Sequence, residues 1–457
     1  MTKTLPFLAL CSILYVSTGF GGDSTSEARA YPLQHKKGEA FLRDQNGDPH
    51  FLFVDANWAL PYFFTREEAV RYLDDRQQKG FSMIKLNAVP WNRTWNEAGD
   101  GAGDSNAYGA KPFVDRDPLT PNEAYWVHFD WLLEEAGKRG LQLLIETPEF
   151  FDPITTPEQA RAVGRFLGRR YGPSNNLIWL HGSDRNASQE DARLVEAMVS
   201  GIREFDTRHL HTFHPGAGHD SIEGLATVAD TSWLGLVWSY AYRPGYPWGA
   251  IEPYVRATLS YRNARGLPVY LGEAGYEEER TPTLNTAAVI RRQIYWFVLN
   301  GALAGHTYGH GRIWLRKAGW EETLDAPGAR HAALATQFFR QLPWYEYTPD
   351  TEARIVIENR VKDPTELALK GDHHVACALR LDGTGALLYL PPDRPQDLPV
   401  ALDLAHLPGK LSLRWIDPTT GASVKSEAIS GGANYPLASR PNTEGSLDWI
   451  VLIEQEK

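Results

Sequence analysis

Eight short apolar runs recur between residues 51 and 311, and amphipathic segments of helical length separate them. An apolar run of strand length followed by a helix is the repeat of a parallel sheet, because parallel strands need a crossover connection. Eight repeats fit a (β/α)8 TIM barrel, which takes about 250 residues and more with insertions. The runs span residues 51–58, 81–89, 141–150, 176–186, 210–217, 234–242, 267–276 and 302–311.

Capping residues mark the predicted starts of helices between these runs. Thr65 with Glu68, and Thr156 with Gln159, fit a capping box, in which each end of the pair satisfies a free backbone N–H. Ser188 opens a segment with a single apolar stripe. A doubly wound open sheet is the alternative fold, but no glycine-rich dinucleotide or phosphate loop follows the first run.

The two ends of the chain do not share the barrel pattern. Residues 1–30 combine Lys3, an apolar stretch over 5–16 and the sequence Ala28-Arg29-Ala30, which predicts a cleaved signal peptide and a secreted or periplasmic protein. Asn46-Gly47 predicts a hairpin. We expect the barrel domain over 31–345. Short strand-like runs between Gly, Pro and Asp turns predict a β-sandwich over 346–457. Since it contains only Trp415 and Trp449, a structural accessory role is preferred to the alternative of carbohydrate binding.

Composition narrows the class of partner. The formal net charge of -11, without a concentrated basic run, argues against nucleic acid or an anionic membrane. No stretch after the signal is apolar for about 18 residues, which argues against membrane insertion. Cys377 is the only cysteine beyond the signal, so no intrachain disulfide is expected and the thiol is predicted to be buried. The sequence predicts no cofactor and leaves the oligomeric state open.

Polar and aromatic residues crowd the carboxyl ends of the predicted strands, where such barrels build their sites. Aromatic planes stack on the apolar faces of sugar rings, while carboxylates, amides and imidazoles bind the hydroxyl groups. This mixture predicts a carbohydrate site. The candidate substrate-binding residues are Asn57, Trp58, Asn87, Trp91, Glu146, Glu149, His181, Asn186, His214, Trp238, Tyr240, Tyr276 and His306.

Cleavage of a glycosidic bond needs two carboxyl groups, one protonated and one ionised. Asp184 and Glu273 are the predicted catalytic pair, because they end the fourth and seventh strands on opposite sides of a closed barrel. Burial and the negative charge of Glu273 are expected to raise the pKa of Asp184. A carboxyl separation of about 5 to 5.5 Å would favour retention, and one of about 6.5 to 9.5 Å would favour inversion.

Alternatives remain open for these acids. Either member of the pair could be a buried carboxylate bound to an arginine, such as Arg185 or Arg291. Glu146 or Glu149 could replace Asp184 as the acid, although residues three apart at a strand end are expected to point differently. The acidic run over 277–279 is predicted to be a solvated loop.

Two other chemistries have weaker support. The pairs His211 with His214 and His306 with His310 lack the spacing and acidic neighbours of a metal site, so no metal is predicted. Ser183 lacks the G-x-S-x-G elbow of a serine hydrolase.

Four stretches resemble a known family when they are taken together and in order. They are "FLFVDANWALPYFFTREEAVRYLDDRQQKGFSMIKLNAV", "PFVDRDPLTPNEAYWVHFDWLLEEAGKRGL", "NLIWLHGSDRN" and "YLGEAGYEEE". From about Tyr31 to its end, the chain resembles the apiosidase-like glycoside hydrolases, glycoside hydrolase family 140 and its relatives. The resemblance implies a (β/α)8 barrel followed by a small β-domain that is often described as collagen-binding.

The resemblance also implies roles for individual residues. Asp184 of "HGSDRN" would be the acid/base and Glu273 of "GEAGYE" the nucleophile of a retaining mechanism. Release of apiose from rhamnogalacturonan II is the implied candidate activity. Ser183 departs from the family, since many relatives have a second glycine there, and this puts the exact substrate in doubt.

The residues and the resemblance together predict a secreted retaining glycoside hydrolase. Its substrate would be a plant or algal polysaccharide or an oligosaccharide derived from one. The competing prediction is an extracellular protein that binds carbohydrate without turnover.

Overall fold

A small antiparallel sheet lies ahead of the barrel in the described part of the chain. The computed structural model describes residues 30–456, except 91–103, 246–250, 281–282, 396–397, 408, 433 and 439–440. Leu42 pairs with His50 across a turn in which Gly47 has a φ of 90°, and this confirms the predicted hairpin. The strands are β1 (Gln34–His35), β2 (Leu42–Arg43) and β3 (Pro49–His50).

Eight parallel strands form the predicted barrel, one from each apolar run. Successive barrel strands are neighbours, and the last of the eight pairs with the first. The sheet is open between the fifth and sixth barrel strands. A bridge between His211 of one outer strand and Leu234, just ahead of the other outer strand, brings the ring nearly to closure. The strands are β4 (Leu52–Ala56), β5 (Met83–Asn87), β6 (Gln142–Glu146), β7 (Leu177–Gly182), β8 (His211–His214), β9 (Val237–Tyr240), β10 (Val269–Glu273) and β11 (Gly305–Gly309).

Helices cover the outside of the barrel and begin where the capping residues predict. Thr65, Thr156 and Ser188 each accept a hydrogen bond from the third residue of their helix, which confirms the three predicted starts. In the described ranges, no helix is both long and apolar enough to cross a bilayer. The helices are α1 (Leu60–Phe63), α2 (Arg66–Gln78), α3 (Glu123–Lys138), α4 (Pro157–Tyr171), α5 (Gln189–Arg203), α6 (Ser221–Gly224), α7 (Pro253–Ala264), α8 (Ala287–Leu299) and α9 (Pro327–Gln341).

Antiparallel sheets follow the barrel, as predicted. One sheet has six strands and a second has two. The buried Cys377 thiol lies in the larger sheet. The strands are β12 (Tyr347–Pro349), β13 (Ala376–Arg380), β14 (Gly385–Leu390), β15 (Val400–Leu402), β16 (Lys410–Ile416), β17 (Ser423–Ser430), β18 (Tyr435–Leu437) and β19 (Trp449–Gln455).

The larger sheet packs directly against α8 of the barrel. The ring of Tyr389 stacks on Tyr295 at 4.7 Å between centroids. Arg291 donates from Nε to Asp448 Oδ2 at 2.6 Å, and both side chains are buried. The Tyr389 hydroxyl donates to the same oxygen at 3.0 Å. Barrel and sheet therefore share one continuous apolar core.

Candidate active site

Side chains along the barrel strands alternate between the interior and the helix layer, so the register decides which strand-end residues meet. In β6, Leu144 belongs to the interior cluster, while Leu143 and Ile145 pack toward the helices. Glu146 therefore faces the interior. At the mouth, which is the carboxyl end of β4–β11 with the turns that follow, the residues brought together are Lys85, Glu146, Asp184, His214, Trp238, Tyr240, Tyr242 and Glu273.

Glu273 is buried at the end of β10 among three donors. Its Oε2 lies 3.0 Å from Lys85 Nζ and 3.3 Å from His214 Nε2, and its Oε1 accepts from the Tyr242 hydroxyl at 3.3 Å. Burial alone would raise the pKa of Glu273. The charges of Lys85 and His214 outweigh burial and lower that pKa to about 2. The site therefore holds Glu273 as a carboxylate.

A break in the strand pairing aims Glu273 at the mouth. The register between β10 and β9 shifts between Leu271 and Glu273, which is the signature of a bulge. Gly272 lies at this shift with the ring of Trp238 against its backbone, and a Cβ there would lie 2.2 Å from Trp238 Cδ2. The glycine thus lets an aromatic ring lie beside the acid.

Asp184 lies in the turn after β7 and is exposed at the mouth. Its φ is 56°, a left-handed conformation that few residues with a Cβ adopt but that aspartate tolerates. The residue keeps contact with solvent, but protein groups of the mouth surround its carboxyl group. This partial burial and the negative charge of Glu273 raise the pKa of Asp184 to about 6. The charge of His214 and a hydrogen bond from Tyr240 oppose this shift.

One imidazole connects the two acids. His214 Nε2 faces Glu273 Oε2, while Nδ1 lies 3.2 Å from the backbone nitrogen of Asp184 and 3.1 Å from Glu146 Oε2. Burial and Lys85 would lower the pKa of His214, but its hydrogen bonds to Glu146 and Glu273 outweigh them and raise it. When this ring carries a proton on both nitrogens, its charge favours the ionised state of Glu273.

Aromatic rings surround this polar centre. Trp58 stacks on His214 at 5.3 Å, and Trp238 lies 4.5 Å from the same ring. Trp58 donates from Nε1 to the Tyr276 hydroxyl at 3.0 Å. Tyr240 lies 5.5 Å from His214. Planar rings beside carboxyl groups are what a sugar-binding mouth requires.

Comparison with known proteins agrees with this geometry. A sequence profile described as "Apiosidase-like, catalytic domain" matches residues 36–346, which is more than half of the chain. The chain belongs to the apiosidase-like family. This apiosidase-like protein is therefore a glycoside hydrolase by family, as its sequence motifs predicted.

Solved structures resemble the apiosidase-like protein along nearly its whole length. One described as a glycoside hydrolase has a TM-score of 0.75 at 23% identity and covers 93% of this chain and 97% of its own. A family 5 glycoside hydrolase from Bacteroides vulgatus ATCC 8482 has a TM-score of 0.74 at 22% identity and covers 93% and 92%. At such identities the likeness concerns the fold. No curated protein sequence matches the chain.

Three predicted substrate-binding residues of the apiosidase-like protein do not line the mouth. His306 on β11 points to α9, where Nε2 lies 2.9 Å from Thr336 Oγ1. His181 lies between Thr147 and His211, at 2.9 and 2.8 Å. Glu149 is fully buried behind β7. The prediction for these three is corrected: the register turns His181 and His306 toward the helix layer, and the loop after β6 places Glu149 against the Gly182 backbone of β7.

The remaining predicted residues divide into two groups. Trp58, Glu146, His214, Trp238, Tyr240 and Tyr276 meet around Asp184 and Glu273, as described above. Asn186 is exposed and its Oδ1 accepts from the Gly216 backbone at 3.1 Å. Asn57 is fully buried with neither amide atom bonded to a described residue, and Asn87 Oδ1 is likewise buried and unbonded in these ranges. Trp91 lies outside the described residues.

The acidic run after Glu273 is not a uniformly solvated loop. Glu277 is buried and accepts from the Gly328 backbone at 2.9 Å and from the Tyr308 hydroxyl at 2.7 Å. Glu279 is partly buried and accepts from Trp314 Nε1 at 2.9 Å. Glu278 alone is exposed, as predicted.

Sequence reasoning missed Lys85, whose ammonium contacts Glu273. Lys85 is fully buried in the middle of "MIKLN", and its Nζ lies 2.9 Å from the ring centroid of Trp58 and 3.9 Å from that of Trp238. Burial lowers the pKa of Lys85 to about 8, although Glu273 opposes the shift. The available signal was a lysine at an inward position of an otherwise apolar strand.

Replacing Gly272 by alanine is expected to displace the Trp238 ring and so disturb the site of the apiosidase-like protein. The new methyl group would overlap Trp238, and overpacking of this kind costs about 1 to 3 kcal/mol of folding stability. Displacement of Trp238 would also reduce kcat. Thermal denaturation and kcat check this, with Gly432→Ala as the control, because nothing lies within 4 Å of a Cβ at Gly432. Equal melting temperatures for both variants would contradict it.

Proposed function

We propose that the protein is a retaining glycoside hydrolase in which Glu273 is the nucleophile and Asp184 the acid/base. The observation that carries this proposal is the opposite perturbation of two acids beside one imidazole. Lys85 and His214 hold the pKa of Glu273 at about 2, while the pKa of Asp184 is raised to about 6. Such a divergence assigns an ionised and a protonated role to two carboxyl groups.

The proposed reaction has two steps. Glu273 attacks the anomeric carbon while the bond to the leaving oxygen breaks, and Asp184 transfers its proton to that oxygen. In the second step, the Asp184 carboxylate takes a proton from water, and the resulting hydroxide displaces Glu273 from the sugar. Both groups return to their starting protonation states.

The proposed substrate is a plant or algal polysaccharide, or an oligosaccharide from one, with an apiose-containing glycan as the first candidate. Membership of the apiosidase-like family supports this choice, and the aromatic mouth supports a sugar ligand. Digestion of a glycan library that includes rhamnogalacturonan II, with each released monosaccharide identified, tests it. NMR of the first-formed anomer distinguishes retention from inversion.

The same digestion separates the enzyme from its alternative. A wild-type protein that binds a glycan but releases nothing from any of them would be a binding protein without turnover. A product of inverted configuration would still show that the protein is a glycoside hydrolase, but it would rule out Glu273 as the nucleophile.

We further propose that residues 1–30 are a signal peptide and that the mature protein is secreted or periplasmic. A basic residue, an apolar stretch and an Ala-Arg-Ala sequence support the proposal. Expression of the full chain in a bacterial host tests it. The expected mature N-terminus is Tyr31, and recovery of intact Met1 in the cytoplasm would contradict the proposal.

The pH dependence of kcat/KM should reflect both acids. Activity is expected to fall as pH rises through about 6, because Asp184 then loses the proton that it must donate. On the acidic side, activity should persist until Glu273 is protonated, near pH 2 if the fold survives. Initial rates on the best glycan across the stable pH range measure both limits.

Lys85→Met provides the matched variant for the acidic limit. Removing the ammonium removes a charge that lowers the pKa of Glu273. The pH at which kcat/KM falls on the acidic side should therefore rise, and by more than the pH at which it falls on the alkaline side. An acidic limb that coincides in the two proteins would contradict the role of Lys85.

A further inference from the structure

Glu149 lies directly behind the turn that carries Asp184. Its Oε1 accepts from the Gly182 backbone N–H at 2.7 Å, and its Oε2 accepts from the Thr147 hydroxyl at 2.6 Å. The side chain is fully buried, with no exposed surface. Glu149 thus contacts the backbone two residues before the proposed acid and is enclosed away from any sugar in the mouth.

The turn itself needs to be held. Gly182 has a φ of 92° and Asp184 a φ of 56°, so two residues out of three are left-handed. A Cβ at Gly182 would lie 2.4 Å from the His214 carbonyl oxygen, which requires glycine at this position. A non-glycine residue in the left-handed region persists when its surroundings fix it.

Two glutamates at the end of β6 supply contacts to this turn from different sides. Glu146 Oε1 accepts from the Ser183 hydroxyl at 3.0 Å, inside the mouth. Glu149 accepts from the preceding amide, on the side of the helix layer. The hydroxyl that distinguishes Ser183 from glycine therefore binds a site carboxylate, while Glu149 holds the backbone.

A buried polar chain keeps Glu149 in place. Thr147 Oγ1 lies 2.9 Å from His181 Nδ1, and His181 Nε2 lies 2.8 Å from His211 Nδ1. Trp233 packs edge-on against both imidazoles. This arrangement leaves Glu149 little freedom to turn away from Gly182.

We propose that Glu149 is a positioning residue for Asp184, which orients the proton donor by fixing the Gly182 amide. The inference rests on the proposed function, because it takes Asp184 as the acid. Glu149 touches neither substrate nor Asp184, so its effect passes through the backbone. A residue that orients a proton donor matters most when the leaving group needs a proton.

The test compares leaving groups rather than total activity. A panel of phenyl and 2,4-dinitrophenyl glycosides is assayed with the wild type to choose the sugar, and kcat/KM is then measured on both aglycones. Phenol needs proton donation and 2,4-dinitrophenol does not. Glu149→Gln is expected to lose about tenfold on the phenyl glycoside and less than about twofold on the dinitrophenyl glycoside, because a carboxamide nitrogen cannot accept from the Thr147 hydroxyl and the side chain then no longer holds the Gly182 amide in the same place.

Glu277→Gln is the matched control. Glu277 is also buried and also accepts from one backbone N–H and one hydroxyl, but it lies on the Glu273 side of the mouth. Any loss in this variant should be equal for the two aglycones. Thr147→Val is a second probe, because it removes the hydroxyl that binds Glu149. It should also lose more activity on the phenyl than on the dinitrophenyl glycoside, and it keeps the inference testable if Glu149→Gln does not fold.

The outcomes separate the inference from the proposed function. If Asp184→Ala discriminates between the aglycones while Glu149→Gln and Thr147→Val lose equally on both, Glu149 has no positioning role. If Asp184→Ala itself shows no discrimination, Asp184 is not the acid and both proposals fail. A wild type that cleaves no member of the panel and no glycan of the library overturns both as well.

Discussion

Replacement of Glu273 by glutamine is expected to lower kcat by about 10⁴-fold or more, on the scale seen when a catalytic nucleophile is removed. The amide cannot form the glycosyl-enzyme, whereas the side chain keeps its size and its place beside Tyr242. Steady-state hydrolysis of the best glycan measures the effect. Glu278→Gln is the control, since Glu278 is exposed and should change kcat by less than about twofold.

Loss of stability must be separated from loss of chemistry in this variant. The Lys85 ammonium is fully buried and would lose its carboxylate partner, which destabilises a fold by up to about 3 to 5 kcal/mol. Adding Lys85→Met to Glu273→Gln should therefore recover melting temperature without recovering kcat. A Glu273→Gln protein with more than about one hundredth of wild-type kcat would reject the nucleophile assignment.

Replacement of Asp184 by alanine is expected to have the second-largest effect, a loss of about 10² to 10⁴-fold on substrates with poor leaving groups. The loss should be much smaller with a dinitrophenyl leaving group, because the first step then needs no proton. Azide should accelerate the second step, since it attacks the glycosyl-enzyme without general base assistance. Rates on the two aglycones, with and without azide, measure these effects.

An exposed acid in the loop after β6 provides the control for Asp184→Ala. The side chain of Asp152 is 88% exposed and its carboxylate lies 3.9 Å from Arg116, so Asp152→Asn should change kcat by less than about twofold. An azide product with inverted configuration from the Asp184 variant would contradict the proposed pair, because attack on a glycosyl-enzyme restores the original configuration.

Much of the fold follows from local patterns in the sequence. Apolar runs of strand length alternate with segments that begin at Thr65, Thr156 and Ser188, and each capping residue does what its chemistry dictates. The positions of Asp184 and Glu273 at the ends of apolar runs also predicted that both residues lie at the mouth. These predictions need information from only a few neighbouring positions.

Inward or outward direction at a strand end does not follow from such patterns. A difference of one residue decides whether a side chain faces the mouth or the helices, which is why His181 and His306 were placed wrongly. Glu149 was placed wrongly because it lies in the loop after β6, whose path strand alternation does not define. The register shift at Glu273 is equally invisible in sequence. Lys85 was missed because its partner lies 188 residues away, and a lysine acquires this meaning only when the barrel closes.

The packing of the larger C-terminal sheet on α8 bears on how such proteins can evolve. Tyr295 and Arg291 have as their partners Tyr389 and Asp448, which lie beyond the barrel in the chain. A recombination that joined this barrel to another second domain would leave a guanidinium and an aromatic ring without matching surfaces. A barrel joined to a different C-terminal sheet is therefore expected to need compensating changes on α8 to keep its stability.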